Sequence, residues 1–141
     1  PLAYGQVYAT LARLVRDGLI TQVETEPGAG PERKRYKVTD AGRQSVEQWL
    51  LTPVTPAGDV QADIFAKTVI ALMLDDDAGR LLDLQRAEHM ARMRELTRLK
   101  QDGDLRTVLL ADHALFHIEA DLRWMETTAA RLSELREEVR S

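Results

Sequence analysis

Apolar residues along the chain follow two helical stretches, a short alternating one, and then a long helical remainder. Within Gly5–Ile20, Val7, Leu11, Leu14 and Val15 recur at helical spacing, so one side of a helix is apolar and seeks a core. Asp17-Gly18 stops that helix, because glycine accepts the left-handed conformation that closes a last turn. Residues 19–25 and 32–38 read as two strands, and Pro27-Gly28-Ala29-Gly30-Pro31 supplies the turn between them. Thr39 is placed to cap a following helix, whose buried side is Val46, Trp49 and Leu50. Gly42 stands where a full capping box would have Glu, so only half of that motif is present.

Helix, glycine stop, hairpin and helix in this order make the middle of a winged helix-turn-helix, with the helix from about Ala3 to Arg16 as its recognition helix. The run YGQVYATLARLVRDGLI followed by PGAGPERKRYKVTDAGR resembles the PadR family of bacterial transcriptional regulators. The likeness covers about the first 50 residues, and residues 58–141 resemble that family's helical dimerisation region by pattern alone. Family members carry two helices before the recognition helix. A chain that opens at Pro1 is therefore expected to lack upstream residues that would cover Val7, Leu11 and Leu14.

Pro53-Val54-Thr55-Pro56-Ala57-Gly58 interrupts the helical pattern and predicts a linker over 53–58, between a DNA-binding domain over 1–52 and a helical domain over 59–141. Ile64–Leu74 is apolar on nearly every side but too short to span a membrane, so it predicts a buried helix. Asp75-Asp76-Asp77 supplies acidic residues to the start of the next helix, over 78–100, whose drier side is Leu82, His89, Met93, Leu96 and Leu99. A last helix is expected over Leu105–Arg140. In it Val108, Ala111, Leu115, Ile118, Leu122, Met125, Ala129 and Leu132 alternate three and four apart, the seam of paired helices. Leu115, Ile118, Leu122, Met125 and Leu132 are the candidate dimerisation residues. The expected fold class is mainly α with a two-stranded β-wing: a winged helix-turn-helix domain followed by an α-helical dimerisation domain.

The formal net charge of −4 argues at first against nucleic acid. Its distribution reverses that, because Arg33, Lys34, Arg35 and Lys37 cluster in the second wing strand while the acidic excess lies beyond residue 52. Arg33, Arg35 and Lys37 share one face of the strand, and Tyr36 and Val38 share the other and should point to the core. On the recognition helix, Tyr4, Gln6, Tyr8, Thr10 and Arg13 are the candidate DNA contacts. Gln pairs with adenine, while Thr, Tyr and Arg reach bases or phosphates. An ordinary solvated helix face and a charged edge strand are the plain alternatives.

The absence of Cys excludes disulfides and thiolate metal sites and suits the cytoplasm. His113 and His117 stand four apart, as helical metal pairs do, but lack the glutamate of a protease motif. No phosphate loop or nucleophile elbow is present, so neither an enzyme nor a cofactor or metal is expected. Trp49, Phe116 and Trp124 are candidates to line an effector pocket, though core packing is the commoner fate of aromatics. The resemblance implies a ligand-responsive repressor that binds a palindromic double-stranded DNA operator as a homodimer, with a small-molecule effector and no membrane. The rival readings are a winged helix that binds protein and, further off, a metal-dependent enzyme using His113 and His117.

Overall fold

A computed structural model describes residues 4–23, 34–56, 60–74 and 77–140. The elements are α1 (Tyr4–Arg16), β1 (Ile20–Val23), β2 (Arg35–Val38), α2 (Asp40–Leu51), α3 (Val60–Met73), α4 (Ala78–Asp102), α5 (Leu105–Ala130) and α6 (Leu132–Arg140). The fold is mainly α with one two-stranded antiparallel sheet. Two compact units divide the chain, Pro1–Trp49 and Leu50–Ser141.

In the first unit, α1 ends as its sequence dictates. Gly18 adopts φ 71°, which lets its N–H donate to the Val15 carbonyl at 3.0 Å and the Leu19 N–H to the Leu14 carbonyl at 3.0 Å. These paired bonds close the helix in the Schellman manner. Strands β1 and β2 then pair in the register Ile20–Val38, Thr21–Lys37, Gln22–Tyr36 and Val23–Arg35. The expected turn residues 27–31 lie outside the described residues.

Thr39 caps α2 by accepting from the Gly42 N–H at 3.1 Å, the bond expected of an N-cap residue. Gly42 has a reason of its own. A Cβ there would stand 2.1 Å from the Leu19 carbonyl oxygen and 2.9 Å from Val38 Cγ1. The position that a capping box would fill with Glu is thus reserved for the return of the chain.

In the second unit, Leu50, Val60, Ile64, Leu72, Leu81 and Leu82 are buried together with residues of α4 and α5. Asp77 caps α4 by accepting from the Arg80 N–H at 2.9 Å, and Asp104 caps α5 by accepting from the Thr107 N–H at 2.8 Å. Hydrogen bonds from the Thr107 hydroxyl and then from its backbone N–H hold the Asp104 carboxyl below its ordinary range. Only Gly103 and Asp104 separate α4 from α5, so the chain doubles back and packs Leu96 against Ala111 and Ile118. Leu99, expected on the dry side of α4, is exposed instead.

The single helix expected over 105–140 is broken. The Arg131 N–H donates to the Thr128 carbonyl at 3.0 Å, one residue short of helical spacing, and Arg131 leaves the helical conformation. Its guanidinium instead reaches Glu134 in the next helix, with bonds of 3.1 and 2.9 Å. After the break α6 packs on α3, which gives its apolar side a cover that a straight helix would miss.

Candidate nucleic-acid interface

Gln6, Thr10 and Arg13 lie at intervals of four and three along α1, so they occupy one face of the helix, and all three are exposed. Val7, Leu11 and Leu14 form the neighbouring stripe; Leu11 and Leu14 are half-buried, while Val7 and Val15 remain exposed. Tyr8 is 61% exposed, so its ring lies at the surface of α1. The Tyr4 side chain lies outside the described residues. Arg16 is paired with Asp17 at 3.0 Å, at the surface.

On the wing, Lys34, Arg35 and Lys37 are exposed and Arg33 lies outside the described residues. Tyr36 is half-buried, as its place on the inner face requires. Val38 is not; at 47% exposure it departs from the expected core position. It sits at the end of the strand beside Gly42, and a glycine offers no side chain to cover it. Among the described residues, Arg13, Lys34, Arg35 and Lys37 have no ion-pair partner. A charge that no neighbouring carboxylate neutralises keeps its full attraction for phosphate.

The candidate dimerisation residues divide. Ile118 and Met125 are 3% and 2% exposed, buried by the chain's own helices, so they are corrected from an outer seam to the inner core. Leu115, Leu122 and Leu132 are half-buried, and the first two pack on the Leu96, Ala111 and Ile118 cluster. The doubling back of α4 on α5 provides within one chain the partner that the heptad spacing asked for. Leu105, Leu109 and Phe116, off that spacing, share an exposed apolar side of α5, and Leu110 is exposed on another side.

The aromatic candidates do not form one described site. Trp49 ends the first unit and is exposed. Trp124 meets Phe65 edge-on, with ring centroids 6.5 Å apart, beside a groove of about 280 Å³ between α3, α5 and α6. Phe116 and Trp124 together line only an open groove on α5. His113 and His117 face each other with their Nε2 atoms 3.3 Å apart, and among the described residues no third donor completes a metal site with them.

Sequence reasoning missed a buried polar chain in the second unit. Gln85, His89 and Asp121 are each at most 2% exposed. Gln85 and His89 stand one helical turn apart on the dry side of α4, and that spacing was the available signal.

Residues 1–48 match the family model described as the transcriptional regulator PadR-like family. Over 94 residues, 66% of its length, the chain is 28% identical to the negative transcriptional regulator PadR of Bacillus subtilis strain 168. It spans about half the length of that curated relative, 52%. Among solved structures it is similar to Bacillus subtilis PadR in complex with operator DNA, at 23% identity and a TM-score of 0.42, over 93% of this chain and 79% of that one. It is also similar to a Streptococcus mutans UA159 protein, at 20% identity and a TM-score of 0.34, over 92% and 79% of the two chains. Among the described residues no helix is long and apolar enough to cross a membrane.

Proposed function

We propose that this chain, a member of the PadR-like family of transcriptional regulators by its first 48 residues, binds double-stranded operator DNA as a homodimer in the cytoplasm. The observation that carries the reading is the exposed set Gln6, Thr10 and Arg13 on one face of α1, next in the chain to a hairpin bearing Lys34, Arg35 and Lys37. In this reading α1 lies in the major groove, where Gln6 reads a base edge, and the wing cations hold phosphates. A second copy of the chain covers Leu105, Leu109 and Phe116. Its two-fold axis matches a palindromic operator, and the bound dimer represses transcription until a small molecule releases it.

Selection of bound duplexes from a random pool tests this. A palindromic consensus with steeply salt-dependent affinity supports it, and recovery of no consensus counts against it. Exposed Val7, Val15 and Val38 favour a second reading, in which the winged unit binds a protein. In that case partner binding would depend only weakly on salt.

A further inference from the structure

His113 and His117 lie about one helical turn apart on α5. That helix runs unbroken from Leu105 to Ala130 with neither proline nor glycine in it, so the backbone fixes the spacing of the pair. Beside the histidines, Ile118 is buried in one cluster with Leu96 of α4, and Ala114 packs against the same cluster. The two rings are thus carried on a braced stretch of helix while remaining exposed themselves. Their Nε2 atoms stand 3.3 Å apart. That spacing is long for an N–H hydrogen bond, which ordinarily spans about 2.7–3.2 Å to oxygen. It matches another arrangement. Two nitrogens bound at about 2.0–2.1 Å to one tetrahedral ion stand about 3.3–3.4 Å apart, the edge of the tetrahedron. A square-planar or octahedral ion with the same bond lengths would draw them to about 2.8–3.0 Å.

The surroundings supply a matching charge. Both histidines line a cavity of about 160 Å³ together with Arg92, Leu96, Ile118 and Asp121. Asp121 continues their row one turn further along α5 and is 1% exposed. Gln61 donates to one of its oxygens, and His89 Nε2 lies 3.4 Å from the other. Among the described residues no lysine or arginine pairs with this carboxylate. Arg92, the cation that lines the cavity, is paired with Glu95 at 2.9 Å. A buried carboxylate without a close counter-charge is costly, and a cation held in the cavity offsets that cost.

We infer that His113 and His117 chelate a divalent transition-metal ion of the zinc class at the mouth of this cavity. Imidazole nitrogen suits Zn²⁺, whereas Mg²⁺ and Ca²⁺ take oxygen ligands. Among the described residues no third side chain completes the set, so water fills the remaining positions of the ion. Two ligands on one rigid helix bind better than two separate imidazoles, because the second is already in place when the first engages. The site lies wholly within the second unit and stands apart from α1 and the wing, so it does not rest on the DNA-binding reading.

Isothermal titration of the intact, tag-free protein with Zn²⁺ at about pH 7.5, above the ordinary histidine range, tests this. Wild type should bind one Zn²⁺ per chain, and excess Mg²⁺ should not displace it. His113→Asn and His117→Asn should each weaken binding roughly tenfold or more, since a single imidazole loses the effective concentration of its neighbour. Glu119→Gln, exposed on another side of α5, should bind as wild type does. Both histidines are exposed, so the variants should fold, which circular dichroism establishes. Wild type that binds no Zn²⁺, or a double His113→Asn, His117→Asn variant that binds it equally well, would overturn the inference. A second measurement needs no variant. Saturating Zn²⁺ should protect both rings of the wild type from diethyl pyrocarbonate, read by peptide mass spectrometry. Rings modified as fast with Zn²⁺ as without it would overturn the inference as well.

Discussion

The Thr39 hydroxyl donates to the Gly18 carbonyl at 2.7 Å, tying together residues 21 apart in sequence. The same oxygen accepts from the Gly42 N–H, and the Thr39 N–H donates to the Leu19 carbonyl at 3.1 Å. One residue thus joins the end of α1, the root of the hairpin and the start of α2. The orientation of the wing relative to α1 depends on this junction.

Thr39→Val keeps the shape and removes the hydroxyl, leaving the Gly18 carbonyl and the Gly42 N–H without it. The expected loss is about 1–3 kcal/mol, read from chemical denaturation of the intact protein. A loss within a few tenths of a kcal/mol of zero would show that water replaces the hydroxyl at no cost.

Two glycine-to-alanine changes should have opposite signs. Gly42→Ala drives a methyl into the Leu19 carbonyl and should cost about 2–3 kcal/mol, or displace the hairpin. Gly5→Ala meets nothing within 4 Å and lies in helix α1, so it should stabilise by about 0.5–1 kcal/mol. Thermal melting of the two variants side by side decides. Equal shifts would contradict the close approach at Gly42.

On DNA, replacing Arg35 and Lys37 with Ala should lower affinity for all sequences and reduce the salt slope by roughly one unit for each phosphate no longer neutralised. Titrations at several salt concentrations read this directly. An unchanged slope would remove the wing from the interface. The Arg33 contribution, outside the described residues, can be added as a third substitution.

Gln6→Ala should cost on the order of 1–3 kcal/mol on the selected operator and little on random duplex. The comparison separates base reading from simple docking. Equal losses on both substrates would make Gln6 a residue that only positions α1.

The two sides of α5 should also separate. Ile118→Glu buries a carboxylate in the core and should unfold the helical unit, as seen by circular dichroism. Phe116→Glu, at a 66% exposed position, should leave the fold intact and dissociate the dimer in sedimentation. A dimer that survives Phe116→Glu would place the interface elsewhere.

Local rules were enough for much of this protein. The Schellman stop at Gly18, the cap at Thr39, the hairpin and the apolar character of α3 all arise from interactions within a few residues, and the sequence determined each of them. So did the exposed polar row Gln6, Thr10 and Arg13, because helical spacing alone puts it on one face. What only the tertiary structure decided were matters of which partner arrives. A heptad seam cannot say whether its partner is another chain or a preceding helix, and here Leu96 of α4 packs on Ile118 from within the same chain. Gly42 looked like a weak cap until the Leu19 carbonyl arrived above it. Residues 52–56 carry the prolines of a linker, yet Lys67 and Gln85, far along the chain, hold them in place. Each of these depends on groups distant in sequence meeting within hydrogen-bonding or van der Waals reach, which no periodicity encodes.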